Sequence, residues 1–187
     1  MEAKIVYYDK PGQDNTEETF RLAKARAQEL GIKIILVAST TGSMAVKAVT
    51  FFNGMKVIAV THNTGFKQAD TQEFTEENKK IVESKGGTVL TATHIFSGVE
   101  KAMRLKFNMY LLGDTIASTL RIFGQGMKVV PEIAMMAADA GVVRTDEDIM
   151  VITGTGRGAD TAVVLRAVNS DHFFDLRIKE ILCKPHF

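Results

Sequence analysis

Short, almost wholly apolar runs alternate with longer stretches in which apolar residues recur every three or four positions. Residues 4–8 read as a strand, and Pro11, Gly12, Gln13 and Asp14 as the loop after it. Asn15, with Glu18 three positions on, has the form of a capping box, so a helix is expected to start there. Phe20, Leu22, Ala23, Ala27 and Leu30 follow at helical spacing, and Gly31 stands where a C′ residue would end it. Residues 32–38 are apolar and branched, as a strand covered on both faces must be. They run into Ser39, Thr40, Thr41, Gly42 and Ser43. Residues 44–52 are helical in pattern, Gly54 punctuates, and residues 56–60 form another buried strand. Thr75 opens a polar helix that closes at Gly86 and Gly87, and residues 88–92 are a further strand. Strand and helix alternating in this way predict a parallel sheet sandwiched between helices.

From residue 97 to 140 the pattern is helical, with breaks expected at Gly113, at Gly124 and Gly126, and around Pro131, giving two or three helices. Residues 149–153 form a strand that feeds a second small-residue loop, Gly154, Thr155, Gly156, Arg157 and Gly158. Residues 161–168 and 173–182 are β-rich, and the short link between them predicts an antiparallel hairpin rather than another crossover. The expected fold class is α/β: three-layer α/β/α, with a mostly parallel sheet and an antiparallel C-terminal edge. One domain over residues 1–187 is expected, since single cores run to about 100 to 200 residues.

Composition narrows the partners. Lys and Arg number 23 against 22 Asp and Glu, a formal net charge of +1, so there is no overall field to draw in nucleic acid or an anionic membrane. The lone cysteine, Cys183, offers neither an intramolecular disulfide nor a cysteine zinc site, and it reads as a small apolar side chain rather than a nucleophile. No apolar run approaches the ~18 residues of a membrane span, and the N-terminus lacks signal-peptide features. A cytoplasmic protein is expected.

In open α/β sheets, ligands lie beyond the carboxyl ends of the strands, where loops meet helix N-termini. Both small-residue loops are expected there. Ser39, Thr40, Thr41 and Ser43 offer hydroxyls, Gly42 leaves room for close backbone approach, and a helix starting at Ser43 aims its positive end at an anion. A turn followed by an N-cap explains the same residues without a ligand. The second loop favours binding, because Thr153, Gly154, Thr155 and Gly156 give backbone access while Arg157 adds a fork suited to phosphate or carboxylate.

Gly154, Gly156 and Ala159 match a dinucleotide-binding fingerprint, but a strand follows where that fingerprint needs a helix. Thr93 and His94, like Thr61, His62, Asn63 and Thr64, follow strands and join the same crevice. Neither histidine has a metal-ligand pattern or an evident nucleophile partner, so a surface role is favoured over a catalytic one and both are allowed for binding; no metal is expected, and the catalytic residues are left unassigned. Methionines 103, 109, 127, 135, 136 and 150 suit core or subunit contacts. Glu73, Glu76, Glu77, Lys79 and Lys80 read as a solvated helix face.

Three stretches, residues 34–45, residues 57–63 and residues 149–156, together resemble the C-terminal α/β domain of pyruvate kinase. The resemblance implies a sugar-phosphate effector site built from these loops. Ser39, Thr41, Gly42 and Ser43 would hold the phosphate, and Gly154, Thr155, Gly156 and Arg157 would close over the rest. The kinase's catalytic barrel has no counterpart in a chain of this length, so pyruvate kinase activity is not implied. The chain is also similar to a free-standing archaeal-type version of the domain, and that resemblance implies bound flavin mononucleotide (FMN). The residues are compatible with it: the hydroxyl-rich loop suits the phosphate, and Phe66, Phe96 and the methionines suit apolar cover of the planar ring. Binding of a phosphate-bearing small molecule is therefore expected. The alternatives are a flavin-dependent or phosphate-ester enzyme, and a structural subunit of a homo-oligomer.

Overall fold

Alternate side chains of each central strand point to opposite faces of a seven-stranded sheet, in a computed structural model that describes residues 3–186. The strands are β1 (Val6–Tyr8), β2 (Ile34–Ala38), β3 (Lys56–Thr61), β4 (Thr88–Thr91), β5 (Asp148–Thr153), β6 (Thr161–Arg166) and β7 (Arg177–Pro185). Their order across the sheet is β1-β7-β6-β5-β2-β3-β4. β5, β2, β3 and β4 run parallel, β6 is antiparallel to both β5 and β7, and β1 adds a parallel strand outside the hairpin.

Ile35 and Val37 of β2, with Met150 and Ile152 of β5, belong to one buried cluster, and Ile34, Leu36, Ile149 and Val151 to the other. The first is covered by α1 (Thr16–Leu30), α2 (Ser43–Phe51) and α3 (Glu76–Ser84), through Phe20, Ala23, Ala45, Ala48 and Val82. The second is covered by α6 (Gln125–Asp139), through Val130, Ile133, Ala134 and Ala137. Outside it lie α4 (Val99–Phe107) and α5 (Leu112–Arg121), with Phe96, Ala117 and Met135 forming a smaller cluster. Each large side chain so buried contributes roughly 1.5–3 kcal/mol. Among the described residues no helix is long and apolar enough to cross a membrane.

Several local expectations are corrected. α1 starts where expected, but no capping box forms. A 3-10 turn over Gln13–Asn15 puts Asn15 in helical backbone, so its side chain donates to Lys10 O at 2.7 Å while Glu18 pairs with Arg21. Gly113 does not break the helical region. It lies inside α5, its amide donating to Glu100 Oε2 at 2.8 Å, and the break falls instead at Asn108, which is left-handed. Pro131 does not end α6 either. An interior proline costs about 3 kcal/mol, and the burial of Val130, Ile133, Ala134 and Ala137 offsets it. Phe173 belongs to a 3-10 stretch, Ser170–Asp175, and β7 begins only at Arg177. Of the methionines expected in core or contacts, Met127, Met135, Met136 and Met150 are buried, whereas Met103 and Met109 are exposed. Cys183 is buried and free, and burial pushes its thiol pKa up.

β2 has β3 on one side and β5 on the other; the chain leaves β2 through α2 toward β3, whereas it leaves β5 by turning back into β6 on the opposite side. A crevice lies at the carboxyl ends of these strands. The loop after β5 is held tightly at its far end. Gly158 has φ +80°, and a Cβ there would stand 2.5 Å from Gln13 Cβ and 2.7 Å from Thr16 Oγ1, whereas Gly156, at φ +73°, has nothing within 4 Å. Gly156→Ala is expected to cost only the left-handed backbone strain, about 1 kcal/mol, and Gly158→Ala about 3 kcal/mol, read by denaturant unfolding. Equal losses would contradict this loop geometry.

Candidate functional site

The crevice widens into a cleft of about 860 Å³, lined by the loops that follow β2, β3, β4 and β5 and by the first turns of α6. A volume of this order suits a small ligand. The loop after β2 contributes Ser39, Thr40, Thr41 and Ser43. Ser39 is buried, and its Oγ accepts the Ala45 amide at 3.2 Å, which fixes the start of α2. Thr41 O accepts from Asn78 Nδ2 at 2.9 Å, so α3 braces the same loop. The Thr41 and Ser43 hydroxyls stand 3.4 Å apart and exposed, at the positive end of α2.

The loop after β5 is organised by Asp160, which is wholly buried. Its Oδ2 accepts the amides of Gly12 at 2.9 Å and Thr155 at 3.0 Å, and its Oδ1 accepts the Thr161 hydroxyl at 2.8 Å. Thr16 Oγ1 accepts the Ala159 amide at 3.0 Å and donates to Gln13 O at 2.6 Å. These bonds pin both ends of the loop to the start of α1 and leave Gly156 and Arg157 exposed on the cleft wall.

The structure brings Ser39, Thr40, Thr41, Ser43, His94, Gly154, Gly156 and Arg157 to one cleft, but not every expected residue. Gly42 is off the wall. Its missing Cβ makes room for Phe74 and Asn78 rather than for a ligand. Thr153 is buried and donates to Gly126 O at 2.9 Å, tying β5 to α6. Thr155 is held by Asp160 through its amide, and Thr93 is exposed away from the cleft. Phe96 is buried against Ala117 and Met135, so of the two phenylalanines expected to cover a ring only Phe66 reaches the cleft, together with Met44 and Met136.

Glu73 is a correction too. It precedes α3 rather than lying on its solvated face, accepts from His62 Nδ1 at 2.8 Å and pairs with Lys67. Glu132, on α6, is buried, pairs with Lys128 and lies 3.5 Å from His94 Nδ1. The sequence signal for this pair is Lys128 and Glu132 at i,i+4 in a helix otherwise read as apolar. Burial pushes the Glu132 carboxyl up, but His94 and Lys128 more than offset it and hold it below the ordinary carboxylate range. Lys67, with His62, holds Glu73 low against a smaller burial effect. Cleft-lining cations are Lys47, Lys67, Arg121, Lys128 and Arg157, against only the carboxylates Glu73 and Glu132. Among the described residues no group of three or more His, Cys, Asp or Glu is placed to hold a metal ion.

Both carboxylates titrate lower folded than unfolded, so their ionised forms stabilise the fold above the unfolded pKa of about 4.3, and that gain is lost as pH falls through the folded values. Glu132→Gln is expected to cost about 3 kcal/mol at neutral pH, because Lys128 is left buried without its partner. It should also flatten the loss of stability on acidification. Denaturant unfolding across a pH series checks both, and an unchanged acid slope would contradict the assignment.

Comparison with solved structures finds O-ureido-L-serine synthase at 13% identity over 73% of this chain and 50% of that one, with a TM-score of 0.29. An O-ureido-L-serine-bound mutant of the same synthase matches at 14% identity over 73% of this chain and 49% of that one, again with a TM-score of 0.29. This chain spans about half the length of those structures, and a likeness of that size carries no argument about chemistry. A family model is more informative: the pyruvate kinase alpha/beta domain matches residues 17–165, from the first turn of α1 to the end of β6. With most of the chain covered in this way, it belongs to the pyruvate kinase alpha/beta domain family.

Proposed function

We propose that the chain binds a phosphate-bearing small molecule in this cleft. The observation that carries the proposal is the charge on the wall: five Lys or Arg side chains against two carboxylates, in a protein whose formal net charge is only +1. The Thr41 and Ser43 hydroxyls lie at the positive end of α2, and Arg157 offers a fork for a dianion.

Sugar phosphates and FMN are the two ligand classes the wall suits. For FMN, the residues fit. Thr41, Ser43 and Arg157 would hold the phosphate, and Phe66, Met44 and Met136 offer apolar cover for a planar ring. A bound flavin would supply hydride-transfer chemistry.

Titration with FMN and with sugar phosphates tests the proposal. Replacing both hydroxyls, Thr41→Ala with Ser43→Ala, is expected to weaken binding about tenfold or more, the worth of two hydrogen bonds, without lowering the unfolding midpoint. Unchanged affinity would remove the loop after β2 from the site.

A further inference from the structure

Helix α4 turns its charged side chains toward the protein and its apolar ones toward water. Glu100 Oε2 accepts the Gly113 amide at 2.8 Å, and Arg104 pairs with Asp114. Lys101 Nζ donates to Phe66 O at 3.1 Å and stands 4.0 Å from the centre of its ring. Residues 100, 101 and 104 share one side of the helix, so Val99 and Met103 project from the other, with Leu105 and Phe107 at its margins. No residue of α4 is buried. A surface helix packed on its own domain has the opposite pattern, its apolar stripe inward.

The apolar surface continues past α4. α5 buries Gly113, Asp114 and Ala117, and its outer side carries Leu112, Thr115, Thr119 and Ile122 at helical spacing, all exposed and uncharged. Nine of the fourteen large hydrophobic side chains exposed among the described residues fall within residues 99–123, and Val99, Leu105, Tyr110, Leu112 and Ile122 are each 70–78% exposed. Met103 and Met109, which the core does not use, both lie here. Together these nine expose on the order of 1,000 Å², more than the roughly 300–600 Å² of the largest patch on a typical monomer and enough for the about 800 Å² per partner of a specific interface.

We infer that α4, the link after it and the outer side of α5 join two copies of this chain, the α4 helices meeting antiparallel across a two-fold axis, an inference independent of the phosphate-binding reading above. The charges select this occupant. α4 carries Glu100 in its first turn and Arg104 and Lys106 in its last, so antiparallel copies bring unlike ends together, as the helix dipoles also favour. Crossing at Met103, the middle of α4, sets Val99 against the partner's Phe107 and the Glu100 end beside the partner's Lys106. A formal net charge of +1 gives little repulsion between copies. A membrane surface would instead call for basic residues around the apolar face, and Lys101 and Arg104 are turned inward.

Sedimentation velocity of the full chain over a micromolar concentration series tests this. The mass is expected to reach twice that of the 20.5 kDa chain. Phe107→Glu, at an exposed position, should raise the dissociation constant about a hundredfold or more while the circular dichroism stays native. Adding Val99→Lys to Phe107→Glu should recover part of that loss, because the introduced charges then face each other across the axis; no recovery would overturn the antiparallel pairing. A single-chain mass at every concentration overturns the inference, and so does a dimer that folded Phe107→Glu leaves intact. A monomer that binds phosphatidylcholine–phosphatidylserine vesicles makes the occupant a membrane and overturns it as well. Should Phe107→Glu not fold, the wild-type mass and Leu105→Glu, on the other margin of the same face, decide the matter.

Discussion

The site depends on β5 lying beside β2. Ile35, Leu36 and Val37 pair in parallel with Met150, Val151 and Ile152, so the chain, having moved outward from β2 through β3 to β4, returns to the middle of the sheet and then moves out the other way. The long excursion through α4, α5 and α6 costs little extra closure entropy, which grows only with the logarithm of length. Burial of Val130, Ile133, Ala134 and Ala137 under the second face offsets it. Gly126 supports the same arrangement: a Cβ there would come within 2.6 Å of Thr161 Cβ, so its absence lets α6 bring Gln125, Lys128 and Glu132 to the cleft.

What gathers in that crevice is expensive to fold. Lys128 and Glu132 are almost wholly removed from water, and desolvating such a pair costs about as much as its attraction returns. Asp160 is buried too, holding the loop after β5 through two amides and a hydroxyl. The result is a fixed loop geometry and a wall whose cations outnumber its carboxylates, beside His62, whose Nδ1 meets Glu73, and His94, which lies near Glu132. A cleft with this excess of positive charge is the basis of the proposed anion binding.

The layers and the site's location are legible in the sequence because buried parallel strands read as unbroken apolar runs. Residues 32–38 and 149–153 do so, and each ends in a loop of small residues. Side-chain direction is not legible. Thr153 and Thr155 belong to the expected loop, yet one hydroxyl turns inward to Gly126 and Thr155 is engaged by Asp160. Gly113 and Pro131 look like breakers but sit inside helices, because contacts with Glu100 and with the sheet outweigh local propensity. His62 and His94 are placed correctly, but their glutamates are 11 and 38 positions away and join them only through the fold. Nothing local to Glu73 distinguishes it from the charged residues of α3 that follow.

The most direct measurement is an amide NMR titration of the isotope-labelled protein with FMN or a sugar phosphate, which locates the bound phosphate residue by residue. A phosphate seated between the two loops should shift the amides of Ser43, Met44, Gly156 and Arg157 most, with smaller changes at His62 and His94. Shifts confined to another surface, such as the groove lined by Lys4, Arg26 and Lys179, would contradict the account.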